Sequence, residues 1–293
     1  MLRRFLVFML LILTMGIQMS HTPKAYEWYN KNGKRTRFNR LVKEAMRSDV
    51  ILFGELHDDP IAHWMQLQLA KALYQEDSTA LFLGAEMFER DQQVLVDEYL
   101  NKTISSRNFE QQARLWPNYS TDYKPILEWA REHKVDFVAS NIPRRYASII
   151  SRQGPQAMRS SISQEAQKWM YADSLEVDFG LSQYEKMMQM GGGMHGSGMK
   201  PENFVYAQAA KDKTMAESIL HHLDEDRRCL HFNGSFHSDY FQGIMHYLEK
   251  ARPGLRIMTI STMLSPNVDE APEGAEGRAD FILSIHAEMT RTH

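Results

Sequence analysis

The sequence has little cysteine and no excess of basic charge, and each of these absences excludes a class of protein. Cys229 is the only cysteine in 293 residues, so an intramolecular disulfide framework and a cysteine-based zinc or iron–sulfur centre are excluded. The 37 acidic residues slightly outnumber the 34 Lys and Arg, for a net charge of −3. This balance argues against a general nucleic-acid-binding protein.

Three common catalytic signatures are also missing. The chain contains no HExxH, no Walker A and no GxSxG motif, so zincin proteases, P-loop nucleotide enzymes and hydrolases with a serine elbow lose support. The composition itself, 43% hydrophobic and 24% charged, is typical of a globular protein with a large core.

The longest apolar run, near the N-terminus, has the pattern of an export signal. Arg3 and Arg4 precede residues 5–17, which are apolar except for Thr14 and Gly16. The run is shorter than the ~20 residues that a membrane-spanning helix needs. We therefore expect residues 1–25 to be a signal peptide and the mature protein to lie in the periplasm or cell envelope. No cysteine lies directly after the run, which excludes lipidation there.

Short apolar runs alternate with segments of helical spacing along the chain. The runs are 50–54, 80–84, 135–139, 229–233, 255–260 and 281–285, and helical spacing occurs at 61–73, 123–132, 201–223 and 240–250. This order predicts an α/β fold with a mostly parallel sheet flanked by helices.

A stretch without a strand pattern separates the third and fourth predicted strands. We expect residues 141–228 to form an inserted helical subdomain, and residues 26–140 and 229–293 to form the α/β domain. Within the insertion, residues 187–199 read MMQMGGGMHGSGM. Because glycine disfavours a regular helix, this Met/Gly-rich stretch predicts a flexible loop or lid.

Ionisable residues follow the predicted strands, at the edge where ligands bind in doubly wound sheets. Glu55 and His57 follow the first run, Glu86 the second, Arg144 the third and His237 the fourth. We expect these side chains to converge. Two imidazoles with carboxylates can bind a divalent metal, with His57 and His237 as ligands, or act as a general acid and base.

The two histidines share a local pattern. Gly54-x-x-His57 and Gly234-x-x-His237 have the same spacing after separate strands, and glycine permits close approach of the backbone before each imidazole. His63, six residues after His57, is either a further ligand or a packing residue at a helix start.

Other residues carry weaker signals. Arg144 and Arg145 are suited to an anion such as a propionate, or they pair with Glu86 or Glu89. The methionines around His195 offer soft donors for copper(I) or a haem edge, or they pack a lid. Tyr171, Tyr184 and Tyr206 belong to the helical region; a phenolate can ligate ferric haem, whereas a buried tyrosine usually packs. Cys229 is interpreted as a small buried hydrophobe.

Five segments carry a resemblance to a known family. They are ILFGELHDDPIAHWMQ at 51–66, LGAEMFERDQQ at 83–93, ASNIPRRY at 139–146, YAQAAKDKTMAESI at 206–219 and FNGSFHSDY at 232–240. In these segments the chain resembles the ChaN-like haem-binding uptake proteins of the Tiki superfamily, which also contains the erythromycin-esterase and TraB groups.

The resemblance implies an α/β domain with a helical subdomain, exported to the cell envelope and binding haem through a tyrosine between paired subunits. Tyr184 and Tyr206 are the candidate tyrosines. The proteolytic members of the superfamily place metal or catalysis on positions that correspond to His57, His237 and Glu55. Many family members are lipoproteins. This chain departs from them because it lacks a cysteine after the predicted signal peptide that could carry the lipid.

Three hypotheses follow. The first is an exported haem-binding protein of haem and iron acquisition, with haem, a second copy and envelope haem-transport components as partners; Tyr184, His195 and Tyr206 would bind the cofactor. The second is a metal-dependent hydrolase in which Glu55, His57 and His237 hold a metal or activate water, with Glu86 as acid/base and Arg144 stabilising negative charge. The third is a structural envelope protein whose ionisable residues form a salt-bridge network.

Overall fold

Seven strands form one sheet in the part of the chain that the computed structural model describes, residues 23–192 and 200–292. They are β1 (Tyr26–Asn30), β2 (Val50–Glu55), β3 (Leu81–Glu89), β4 (Phe137–Asn141), β5 (Arg228–Gly234), β6 (Ile257–Ser265) and β7 (Phe281–His286). Their spatial order is β1-β7-β6-β2-β5-β3-β4. Only the β1–β7 pair among them is antiparallel, which confirms the predicted α/β fold with a mostly parallel sheet.

Helices connect the strands. They are α1 (Phe38–Ala45), α2 (Pro60–Glu76), α3 (Gln93–Leu100), α4 (Ser106–Gln112), α5 (Lys124–His133), α6 (Arg144–Gln153), α7 (Pro155–Ser161), α8 (Gln164–Gln167), α9 (Ser182–Gly192), α10 (Pro201–His222) and α11 (Ile244–Ala251). A π-helical turn, Tyr119–Tyr123, leads directly into α5.

The sheet is covered on both faces, as parallel sheets require. Alternate residues of β2 serve opposite cores: Ile51 and Phe53 pack with the buried residues of α2 and α5, and Val50 and Leu52 pack with those of α10 and α11. This double burial explains why the interior strands read as continuous apolar runs. All six predicted strands and all four predicted helical segments are confirmed within a few residues.

Proline and a capping carboxylate set the start of α2, the helix behind the candidate site. Asp59 Oδ1 accepts hydrogen bonds from the backbone N–H groups of Ile61 and Ala62, both at 3.0 Å. Pro60 occupies the first helical position, where its missing N–H costs nothing. Only residues 56–59 therefore separate the end of β2 from the start of α2.

The segment between β4 and β5 contains helices α6 to α10 and no strand in its described residues. That it forms a subdomain stays a prediction, and α10 itself packs on the sheet. The predicted loop at 187–199 is wrong for its first six positions, because α9 continues to Gly192. Met187 and Met188 pack on the core beside α10 and hold this end helical.

Some predictions fall on residues outside the described part. The signal peptide lies mostly in residues 1–22, and His195 lies in the stretch 193–199. Among the described helices, none is both long and apolar enough to cross a membrane.

Candidate functional site

Glu55, the last residue of β2, is a fully buried carboxylate with a complete set of partners. Its Oε2 accepts a hydrogen bond from Gln66 Nε2 at 2.6 Å, and its Oε1 accepts one from the Tyr123 hydroxyl at 2.7 Å. Burial by itself would raise the pKa of Glu55, but His63 and His57 outweigh it and lower this pKa to about 2. Glu55 is therefore a fixed negative charge at the end of the strand.

His57 is the accessible member of the site. Its Nδ1 lies 2.9 Å from Glu55 Oε1, and its side chain remains 39% exposed. Burial lowers the pKa of His57, but Glu55 and Glu86 more than compensate, so the net shift is upward. The indole of Trp116 packs edge-on against the imidazole at 4.8 Å, which limits where the ring can move.

The surroundings of Gly234 explain why a glycine lies three residues before His237. A Cβ at this position would lie 2.7 Å from His57 Nε2, closer than real Cβ contacts come. The absence of a side chain thus lets the imidazole from β2 rest against the end of β5. The expectation of close backbone approach is met, although the imidazole concerned is His57 from the neighbouring strand.

His237 lies between two further buried carboxylates. Its Nδ1 lies 2.5 Å from Asp212 Oδ1, and its Nε2 lies 3.1 Å from Glu86 Oε1. Burial disfavours the charged imidazole, but Glu86 and Asp212 raise the pKa of His237 to about 9. Glu86 Oε2 accepts the backbone N–H of Gly234 at 2.8 Å, which fixes the carboxylate beside His57.

The structure therefore brings together four of the predicted residues, Glu55, His57, Glu86 and His237, which we call the rim cluster. Glu86 lies inside β3, where the pairing with β4 shifts register between Ala85 and Glu89; such irregularities re-aim side chains. Chemically, the cluster is a half-exposed imidazole backed by a buried carboxylate, next to a buried imidazolium and its two carboxylates. This arrangement can transfer protons at His57.

His63 has a role that the sequence did not indicate. It is 5% exposed, and its ring nitrogens lie 3.3 Å from Glu55 Oε1 and 3.3 Å from Asp122 Oδ2. Despite burial, these two carboxylates raise the pKa of His63 to about 10. The residue predicted as a packing residue or ligand at a helix start is thus a buried cation between two acids.

Several residues of the site were missed by the sequence analysis. They are Gln66, Asn118, Asp122, Tyr123, Gln208 and Asp212. Gln208 and Asp212 were detectable, because they are polar residues four apart on the buried face of a helix. Asp122 and Tyr123 were not, since they reach the site through a π-helical turn that no local pattern announces.

The arginines do not follow the predicted pairing. Arg145 Nη1 pairs with Asp91 Oδ2 at 2.6 Å, and Glu89 pairs with Arg114 at 2.7 Å, so Arg145 pairs with neither Glu86 nor Glu89. Arg144 is exposed at the start of α6, and no ion pair within the described ranges includes it. Its role in stabilising charge stays a prediction.

The three tyrosines differ sharply in access. Tyr171 and Tyr184 are each 1% exposed, and the Tyr184 hydroxyl donates to Asp212 Oδ2 at 2.7 Å. Tyr206 is half-buried and borders a cavity of about 580 Å³. This cavity, which we call the Tyr206 cavity, is lined by Phe179, Glu185, Met188, Gln189, Glu202 and Tyr206.

Metal binding by His57 and His237 gains no support from the geometry. Three of their four ring nitrogens face carboxylates within 3.1 Å, and the described residues contain no group of three or more His, Cys, Asp or Glu placed to hold a metal ion. The divalent-metal hypothesis stays a prediction. Cys229 is fully buried, and burial raises the pKa of its thiol, in line with its interpretation as a small hydrophobe.

One family model matches most of the chain. The model of a family described as haem-binding uptake, Tiki superfamily, ChaN matches residues 41–248, or 208 of the 293 residues. ChaN of Campylobacter jejuni, solved in a study of cofacial haem binding, shares 18% identity with a TM-score of 0.67, covering 89% of this chain and 96% of that one.

An erythromycin esterase in its open conformation shares 12% identity with a TM-score of 0.47, covering 88% of this chain and 83% of that one. No curated protein matches the chain. The likeness to the Campylobacter protein shows a shared fold, and the family match extends over most of the described structure.

Proposed function

Because the chain belongs to the ChaN family of haem-binding uptake proteins in the Tiki superfamily, we propose that it binds haem in the Tyr206 cavity, with the Tyr206 phenol oxygen as the iron ligand. The observation that carries the proposal is the difference in access between the candidate tyrosines. Tyr206 faces a cavity, whereas Tyr184 is buried and donates its hydroxyl to Asp212.

Three residues of the Tyr206 cavity, Phe179, Met188 and Tyr206, fit the ring and iron of haem, whereas Glu185 and Glu202 offer no positive charge to its propionates. A volume of about 580 Å³ lies within the usual range of ~300–1,000 Å³ for ligand pockets. The Phe179 ring packs edge-on against Tyr206 at 5.4 Å, which fixes the phenol, and Met188 adds a thioether to the wall. Bound haem would supply a ferric iron, for which a tyrosine oxygen is an established ligand type.

A second copy of the chain is the expected neighbour of the cavity. Met190, in the last turn of α9, is 72% exposed, and it belongs to the same helix as Met188. Met190 directly follows Gln189, which lines the cavity, so exposed apolar surface adjoins this part of the helix. We propose that the exported protein pairs around haem and passes it to envelope components of iron acquisition.

Haem binding itself is the first test. Residues 26–293 should give a saturable change of the visible spectrum with ferric haem, ending at one haem per chain and showing the high-spin bands of an oxygen ligand. Size-exclusion chromatography of the same samples should show the dimer. A spectrum that never saturates, or that matches free haem at every ratio, would contradict the proposal.

A second candidate function rests on the rim cluster. His57 is half-exposed, and with Nδ1 donating to Glu55, its Nε2 is left to take a proton from an attacking water. His237 is engaged by Asp212 and Glu86 through both ring nitrogens, so its role is to hold the Glu86 carboxylate beside His57. This geometry favours hydrolysis of an ester or amide, the alternative predicted from the paired histidines.

We expect His57→Asn and Glu55→Gln to lower any hydrolysis of a p-nitrophenyl ester by about 10²–10⁴-fold, the usual contribution of general acid–base catalysis. Lys43→Ala, at an exposed position of α1, is the matched control and should keep the full rate. The hydrolase candidate is eliminated if the unmodified protein has no rate above buffer, or if both site variants retain it.

A further inference from the structure

A further cavity of the described chain shares no lining residue with the rim cluster or the Tyr206 cavity. It has a volume of about 860 Å³, and we call it the α10–α11 cavity. The second half of α10, the end of α11, β4 and residues 168–176 form its walls. Neither the ChaN assignment nor the hydrolase candidate uses it.

Residues 172–176 close one side of this cavity and are tied to both helices. The Ala172 N–H donates to Glu217 Oε2 at 2.9 Å, and Lys213 Nζ donates to the Ser174 carbonyl at 2.7 Å. On the other side, the Tyr247 hydroxyl donates to the Glu176 carbonyl at 2.9 Å. The wall is thus held in place by α10 and α11 together.

Two cations in the wall share a single carboxylate. Arg90 Nη2 and Lys213 Nζ each lie 3.9 Å from Glu217, beyond hydrogen-bond distance. Burial raises the pKa of Glu217, which weakens it as a counter-charge. The Arg90 guanidinium otherwise donates to neutral oxygens, those of Met170, Thr214 and Ser218.

Within the described residues, no other charge of the wall forms an ion pair with Arg90 or Lys213. Glu176 is paired with Lys250, and Lys168 is paired with Glu165, while Asp173 is exposed. The rest of the lining is largely apolar: Val138, Ala139, Ala216, Leu220, Tyr247 and Ala251. The cavity therefore combines a largely apolar lining with two cations, Arg90 and Lys213, whose shared ion-pair partner within the described residues lies 3.9 Å from each.

We propose that the α10–α11 cavity binds an organic monoanion with an apolar body, such as an aromatic or fatty acid. Its carboxylate pairs with Lys213 and Arg90, and its body lies against Leu220 and Tyr247. A carboxylate there gives the two cations the charge-assisted hydrogen bonds that Glu217 does not supply at 3.9 Å.

Calorimetric titration with 2-naphthoate and, separately, decanoate tests this site. We expect saturable binding of at least one of them, and the stronger of the two identifies a planar or a chain-like ligand body. The neutral analogue, 2-naphthamide or decanamide, should bind about tenfold more weakly or worse, since it lacks the charge. Absence of binding by both acids, or equal affinity for acid and amide, would overturn the proposal.

Variants locate the binding. Lys213→Met should weaken binding by about tenfold, and Leu220→Trp, which fills the cavity, should abolish it. Lys43→Met on α1 is the control and should bind as the unmodified protein does; thermal unfolding confirms that each variant folds. Retained affinity in Leu220→Trp would place the anion elsewhere and contradict the proposal.

This inference is independent of the haem proposal. Tyr206→Phe should leave the affinity for the acid unchanged. If one equivalent of haem displaced the acid, haem would belong in the α10–α11 cavity, and the placement at Tyr206 would fail while the anion site stood.

Discussion

Replacing His63 by alanine should cost about 3–5 kcal/mol of the free energy of unfolding, the usual effect of removing one partner of a buried ion pair. The variant leaves Glu55 and Asp122 as buried carboxylates without the cation that now lies 3.3 Å from each. Urea unfolding at pH 6 measures the loss. His246→Ala, on α11, removes an imidazole that makes no ion pair within the described chain and should cost far less.

A charge origin of this loss can be separated from a packing defect. Adding Asp122→Asn to His63→Ala removes one of the stranded carboxylates and should recover part of the stability. If the double variant is no more stable than His63→Ala, the loss comes from the cavity left by the ring, and the electrostatic account of His63 is wrong.

The same ion pair predicts how stability depends on pH. Glu55 has its pKa lowered from 4.5 to about 2, so its contribution is present above pH 4.5 and is lost as the pH falls towards 2. His63 has its pKa raised from 6.5 to about 10, so its contribution is present below pH 6.5 and is lost as the pH rises through 10. Both contributions are complete only between pH 4.5 and pH 6.5. In His63→Ala, the free energy of unfolding should therefore fall less steeply as the pH rises above 6.5.

Tyr206→Phe should weaken haem binding by about 100-fold, because the variant removes the phenol oxygen proposed to hold the iron. Phenylalanine keeps the ring that packs against Phe179, so the shape of the cavity is retained. The measurement is a haem titration followed in the Soret region, compared with the unmodified protein.

Tyr184→Phe is the matched control for the second tyrosine. Its hydroxyl donates to Asp212 within the core, so its removal should lower stability and leave haem affinity within about twofold, because no contact with the cavity is lost. The opposite pattern, in which Tyr184→Phe abolishes haem binding and Tyr206→Phe does not, would transfer the ligand role to Tyr184.

The interior of the sheet was predictable because its strands are buried on both faces. Runs such as 50–54 and 229–233 are continuously apolar for this reason, and the residues after them converge because parallel strands end at one edge. β1 was missed: it is an edge strand with only two buried residues, Trp28 and Tyr29, and its pattern is correspondingly weak.

The site residues that could be predicted lie at or near the C-terminal ends of the strands. Glu55, His57, Glu86 and His237 were found this way. Asp212 carried a signal as a polar residue four positions after Gln208 on a buried helix face, but the sequence alone does not pair it with His237, 25 residues later. The charge on His63 depends on Asp122, a residue brought close by the π-helical turn; tertiary packing, not local sequence, decides both cases.

Resonance Raman spectroscopy of the haem-loaded protein tests the central claim most directly, because it detects the iron–phenolate bond itself. We predict tyrosinate bands in the unmodified protein and in Tyr184→Phe, and their loss in Tyr206→Phe. Tyrosinate bands that persist in Tyr206→Phe, or a haem-loaded protein without them, would contradict haem ligation by Tyr206.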